Sequence, residues 1–169
     1  EHFHMEGRTD ILMGTLSKAI GAEGGYVCGS RVLAEYLKNR ARSYIFSTAL
    51  PPVTVAAAKR ALELIEEEPW RVGRLQENVR WFCGQLRERG IEAWSETAII
   101  PIRIGAEEKA VKVSEMLMEQ GFFLPAIRYP TVKKGEALLR AALMATHTKE
   151  ELAEAAAAIA EAIAWAGRM

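Results

Sequence analysis

Apolar and polar positions change their spacing several times along the chain, and each change predicts an element. Asp10-Ile-Leu-Met-Gly14 and Gly24-Gly-Tyr-Val-Cys-Gly-Ser30 are short apolar runs bounded by glycine. Runs of that length and punctuation predict buried strands. Thr15 to Glu23, between them, reads as a polar loop with a brief helical turn. Arg31 to Arg42 places Val32, Leu33, Tyr36 and Leu37 at helical spacing. Tyr44-Ile-Phe-Ser47 is strand-like again. Pro51-Pro52 suits the first turn of a helix, where a missing N–H costs little. That helix runs through Val55, Ala58, Leu62 and Ile65 to Glu68.

After Pro69 the helical spacing resumes through Val72, Leu75, Val79, Phe82 and Leu86, with Gly90 as terminator. Ala98 to Ile104 reads as a strand whose Pro101 points to a sheet edge or a bulge. Glu107 to Gln120 is helical and closed by Gly121. Phe122-Phe-Leu124 and Ala137 to Leu143 predict two further strands. Thr148-Lys-Glu-Glu151 has capping-box spacing. It opens an amphipathic helix with Leu152, Ala155, Ala156, Ile159 and Ile163 on one face.

The pattern therefore predicts a boundary between Glu66 and Trp70. Residues 1–66 alternate apolar strands with helices, as in part of a buried α/β sheet with a connecting helix. Residues 67–169 form a small α+β unit. The fold class is α/β, with no internal repeat.

Composition narrows the function classes. The chain has 169 residues, half of them apolar, with 22 basic and 22 acidic side chains. Zero net charge without a basic block speaks against nucleic acid as a partner. No apolar run is long enough to span a bilayer, and no signal-peptide pattern opens the chain. Cys28 and Cys83 are too sparse for a disulfide framework and read as free thiols in a reducing cytoplasm. The chain opens at Glu1 and reaches a strand within ten residues, so a fragment of a longer protein is expected.

Thr15-Leu-Ser-Lys18-Ala-Ile-Gly21-Ala-Glu-Gly24-Gly25 carries the candidate chemistry. A lysine that forms a Schiff base needs a partly deprotonated amine, room for a flat cofactor, and hydroxyls or N–H groups for a phosphate. Thr15 and Ser17 supply hydroxyls, and Ala19, Gly21, Gly24 and Gly25 keep the surroundings small. On spacing alone, an ordinary surface lysine on a small-residue loop is an equal reading. A Walker-type phosphate loop is weaker, because Ser17 stands where glycine should precede the lysine.

Thr15-Leu-Ser-Lys18-Ala-Ile-Gly21, followed by Gly24, resembles the lysine-attachment motif of class-II pyridoxal-phosphate aminotransferases. Asp10 to Ser30 is most similar to the α-oxoamine synthases among them. Arg40-Ala-Arg-Ser-Tyr-Ile-Phe-Ser-Thr48, Phe122 to Val132, Leu139-Arg140 and Ala145-Thr-His-Thr148 resemble further landmarks of that family. The resemblance covers nearly the whole chain. Pro125-Ala-Ile-Arg128 followed by Pro130-Thr-Val132 is most similar to the branch that serves biotin synthesis. Tyr129 departs from that branch, and Tyr-Pro-Thr-Val also looks like 5-aminolevulinate synthase, which with 2-amino-3-oxobutyrate ligase makes a glycine-using alternative.

The resemblance implies a fold-type-I enzyme acting as a homodimer with pyridoxal phosphate as cofactor. It implies an acyltransferase that condenses L-alanine with a pimeloyl thioester, on coenzyme A or a carrier protein, to 8-amino-7-oxononanoate. Residues 1–66 would then be a remnant of the large cofactor-binding domain. Lys18 would hold the cofactor and move a proton, and Thr15 would lie near the phosphate. Ser47 and Thr48 would reach the phosphate of the partner subunit's cofactor. Thr131 would touch substrate and Arg140 would pair with the amino-acid carboxylate.

Each assignment has a plainer counterpart. Arg140 could lie on the exposed face of a half-buried strand, and Thr131 could belong to a Pro-Thr turn. His2 and His4 form a His-x-His pair without further ligands nearby, which reads as a mobile end. His147 reads as structural, and Trp70, Trp81, Trp94 and Trp165 as packing. The family's amino-terminal portion, which holds the groups on the cofactor's pyridine nitrogen and ring face, has no counterpart here. The chain alone is therefore expected to be weakly active or inactive, or to serve as a non-catalytic domain, with apolar surface left bare over residues 1–50.

Overall fold

The computed structural model describes residues 3–168; His2 of the His-x-His pair lies outside them. The chain divides into two compact units, Glu1–Glu68 and Pro69–Met169.

In the amino-terminal unit, β1 (Ile11–Thr15) pairs antiparallel with β2 (Gly25–Gly29), from Ile11 opposite Gly29 to Thr15 opposite Gly25. Helices α1 (Arg31–Arg40), α2 (Arg42–Ile45) and α3 (Pro52–Glu67) follow. Ser30 caps α1 by accepting the Leu33 N–H at 3.2 Å. The strand expected at Tyr44–Ser47 is instead α2 and its exit. The N–H groups of Tyr44 and Ile45 both return to the Ala41 carbonyl, and that of Phe46 to Arg42. Local closure satisfies these donors, so the strand propensity of Tyr-Ile-Phe is overridden.

The expected burial of the two strands is not found. Every residue of β2 is exposed, and in β1 only Gly14 is partly covered. Met13 is 78% exposed and Phe46 74%. Apolar side chains are in place here without a layer over them, as anticipated for residues 1–50.

The carboxy-terminal unit contains α4 (Trp70–Glu88), β3 (Ile99–Gly105), α5 (Glu107–Glu119), β4 (Ala126–Ile127), β5 (Ala137–Ala142) and α6 (Lys149–Gly167). The strands form an antiparallel sheet in the order β3-β5-β4. Ile100, Ile102 and Leu139 point to one face and pack with Val79, Phe82 and Leu86 of α4, Val113 and Leu117 of α5, and Ile159 of α6. Pro101 lies on an edge strand. Opposite it, Arg140 sends its N–H the other way, to the Pro125 carbonyl at 3.1 Å. Pro101 therefore occupies a position with no ladder bond to donate, where proline is tolerated.

The strand expected at Phe122–Leu124 begins four residues later, at Ala126, and is shorter. Gly121, at φ +86°, turns the chain, and Phe122 N–H bonds back to Leu117. The Leu124 carbonyl is taken by the Ser114 hydroxyl at 2.6 Å. Leu124 is thus tied to α5 by a side chain before the ladder begins.

Among the tryptophans, only Trp81 packs against the core. Trp70 and Trp94 are exposed and Trp165 is at the margin of exposure, which corrects the packing expectation for those three. Trp70 instead carries the Arg71 guanidinium over its ring at 4.8 Å, a cation–π contact.

Thr148 forms the expected capping box on α6. Its hydroxyl accepts the Glu151 N–H at 3.2 Å, and the Glu151 carboxylate accepts the Thr148 N–H at 2.8 Å. Thr148→Ala will lower the stability of this unit by about 1 kcal/mol, read as a fall in the urea midpoint at unchanged slope.

Candidate active site

Two sets of candidate residues occur, one in each unit. In the amino-terminal unit they are gathered on the β1–β2 connection. Thr15 ends β1, and its hydroxyl lies 2.8 Å from that of Ser17 and accepts the Ser17 N–H at 3.2 Å. Leu16, the buried anchor of this loop, bonds on both sides: its N–H to Gly24, and its carbonyl to the Ala22 N–H. Lys18 follows at the tip. Its carbonyl accepts the Gly21 N–H at 3.0 Å, closing a tight turn. The Lys18 amine is exposed and has no partner among the described residues. Gly24, at φ +103°, has a conformation that L side chains rarely adopt, and a Cβ there would come within 2.6 Å of Leu50. The sharp return to β2 therefore requires glycine.

One loop thus carries an exposed primary amine, with no partner among the described residues, and two hydroxyls. That donor set suits an aldehyde and a phosphate at the two ends of one small molecule. Ser47 and Thr48 are exposed in the segment between α2 and α3, and neither has a hydrogen bond to the Thr15–Lys18 loop.

In the carboxy-terminal unit, Arg140 is on β5, whose residues alternate between core and open face. Its side chain is exposed and unpaired among the described residues. Thr131 lies in a turn closed by its own N–H and that of Val132 to the Arg128 carbonyl, at 3.0 and 3.4 Å. The plainer readings of both residues thus describe their local geometry correctly. A cleft of about 340 Å³ in this unit, lined by Phe82, Leu124, Leu143, His147 and Leu152 among others, contains neither. Both lie on the surface, outside that cleft.

Asn78 escaped notice in the sequence. It is buried at 1% exposure, and its amide donates to the Met144 and His147 carbonyls at 3.1 and 3.0 Å. Both carbonyls require the Nδ2 side, which leaves the Oδ1 atom buried without a partner. The available signal was a polar residue on the apolar stripe of α4, between Leu75 and Phe82. His147 closes the same turn, its Nδ1 accepting the Met144 N–H at 3.2 Å, so its role is structural as expected.

Both cysteines are free, Cys28 exposed and Cys83 buried. Burial pushes the Cys83 thiol up, while the Arg87 charge and a backbone hydrogen bond from Ser95 oppose the shift. A thiol raised in this way is a poor nucleophile at neutral pH. Among the described residues no helix is long and apolar enough to cross a membrane, and no cluster of side chains could hold a metal ion.

Comparison with known proteins places the chain in a family. Residues 1–159 match the family described as aminotransferase class I and II, and the chain belongs to that family. Within it, the chain is 47% identical to the 8-amino-7-oxononanoate synthases of Symbiobacterium thermophilum and of Bacillus pumilus, in each case over 95% of this chain and 41% of the relative. A solved structure described as SPT with its PLP internal aldimine superposes with a TM-score of 0.92 at 28% identity, over 100% of this chain and 43% of that one. The 8-amino-7-oxononanoate synthase of Francisella tularensis gives a TM-score of 0.78 at 30% identity, over 92% and 46%. The chain therefore spans about two-fifths of the length of the curated relatives it matches.

Proposed function

We propose that this chain is the lysine-bearing, carboxy-terminal portion of a cytoplasmic, pyridoxal-phosphate-dependent α-oxoamine synthase that acts as a homodimer. The reaction is the condensation of L-alanine with a pimeloyl thioester, giving 8-amino-7-oxononanoate, carbon dioxide and the free thiol. The observation that carries this reading is Lys18, exposed and with no hydrogen-bond partner for its amine among the described residues, on the loop whose Thr15 and Ser17 hydroxyls lie 2.8 Å from each other. Support comes from relatives at 47% identity that are named for this product, and from a structural neighbour described with PLP.

Pyridoxal phosphate, when bound, supplies an electron sink for the bond broken at the amino-acid Cα. The protein's own groups do the remainder. Lys18 Nζ would hold the cofactor through its aldehyde and would move a proton at the amino-acid Cα. Thr15 would lie near the phosphate, where its hydroxyl could donate a hydrogen bond. Ser47 and Thr48 would reach the phosphate held by the partner subunit. Thr131 contacts substrate. Arg140 holds the α-carboxylate through its two-pronged guanidinium. No group here is assigned to the pyridine nitrogen, so the chain by itself is expected to turn over weakly or not at all. In this reading the amino-terminal unit is the remnant of the large cofactor domain.

Borohydride reduction of the full-length protein with pyridoxal phosphate, followed by peptide mapping, tests the reading. A stable label on Lys18 is expected; a protein labelled at no lysine would be a non-catalytic domain. Tyr129-Pro-Thr-Val132 keeps the glycine-using branch as a second reading. Thiol release that depends on glycine with succinyl or acetyl thioesters, rather than on alanine with the pimeloyl thioester, would favour that branch.

A further inference from the structure

The open face of the three-stranded sheet carries two guanidinium groups, and the proposed reaction employs only one. Arg103 on β3 lies opposite Leu138, and Arg140 on β5 lies opposite Pro101. The two arginines are therefore diagonal neighbours on one face, with Cα atoms about 7–8 Å apart. Both are exposed, and neither side chain has an ion-pair or hydrogen-bond partner among the described residues.

The paired strand positions around them on that face are apolar. Pro101 and Leu138 complete the four-residue patch, and Ile99, Ala142 and Ile127 share the same side by register. The acidic residues Glu107, Glu108 and Glu115 belong to α5, the helix that packs on the buried side of the sheet. Two like charges on neighbouring sheet positions repel, and no ion pair among the described residues offsets either of them. The pattern is thus cation, apolar strip, cation. It complements a molecule that is anionic at both ends and apolar between them.

We propose that Arg103 is a specificity residue that receives the terminal carboxylate of the acyl substrate. This rests on the functional reading above. The product named by the relatives keeps one carboxylate, separated by a polymethylene chain from the ketone carbon beside the new bond. It differs from the α-carboxylate assigned to Arg140, which leaves as carbon dioxide. With Arg140 holding the amino-acid end, the polymethylene chain lies over Pro101 and Leu138. Its far carboxylate then reaches Arg103, which binds it with two parallel N–H bonds.

The test uses the full-length protein and two acyl thioesters of equal chain length, pimeloyl and heptanoyl, the second lacking the terminal carboxylate. The quantity read is the ratio of their kcat/KM values at fixed alanine. Arg103→Gln should lower this ratio by about tenfold or more, the worth of a charge-assisted hydrogen bond, chiefly through the KM for pimeloyl thioester. Arg103→Lys should recover part of it. A ratio unchanged in Arg103→Gln overturns the assignment, as does a fall that affects both thioesters and alanine equally, the mark of a merely structural role. Wild-type protein that condenses neither thioester with alanine would instead defeat the functional reading, and the role of Arg103 with it.

Discussion

Replacing Lys18 with alanine will abolish both the borohydride-stable label and product formation in the full-length protein. The amine is asked to serve as the attachment point and as the group that moves a proton at Cα. Positioned proton transfer alone contributes about 10²–10⁴-fold, so turnover should fall by at least that factor. Lys18→Arg should be no better, because a guanidinium stays protonated and cannot attach to an aldehyde. The side chain is exposed and has no hydrogen-bond or ion-pair partner among the described residues, so neither substitution should shift the unfolding midpoint. Unchanged stability with lost labelling would separate a role in chemistry from a role in folding. Turnover kept within tenfold in Lys18→Ala would overturn the assignment.

The second large effect is on stability. Phe82 is 2% exposed and belongs to the core shared by α4, the sheet and α6. Phe82→Ala removes most of a large side chain from a site walled by Val79, Leu86 and Ile159, which cannot all collapse into the space. The expected cost is about 3–5 kcal/mol, a large share of the roughly 5–15 kcal/mol typical of a domain. The thermal midpoint should fall by roughly 4–8 °C for each kcal/mol. Leu139→Met, nearly volume-conserving, should cost under about 1.5 kcal/mol. A Phe82→Ala variant as stable as wild type would mean that the core is loosely packed.

What could be read from the sequence was local. The Thr148–Glu151 capping box joins residues three apart, so its spacing was sufficient. The alternation of β5 put Arg140 on an open face for the same reason. Asn78 was invisible because its partners Met144 and His147 are 66 and 69 residues away. Tyr44-Ile-Phe was misread because strand propensity said nothing about the Ala41 carbonyl waiting behind it. Phe122–Leu124 was misread because the Ser114 hydroxyl takes the Leu124 carbonyl. Lys18 was legible only in part. Small neighbours and hydroxyls allowed a cofactor or a plain surface loop, and the family resemblance tipped the choice.

The bare strands of the amino-terminal unit have a consequence for motion. Amide protons exchange with solvent by the cheapest opening that frees them. Around β3, β5 and α6 that opening must break a core whose members Ile100, Ile102, Leu139 and Ile159 have no solvent exposure. Around β1 and β2 almost nothing apolar must be uncovered first. In this chain the amides flanking Lys18 should take up deuterium within seconds to minutes, and those of the carboxy-terminal sheet far more slowly. The loop proposed to carry the chemistry is held by its own turn and the single anchor Leu16. Its exchange rate would be a direct gauge of how much order any added layer or ligand confers.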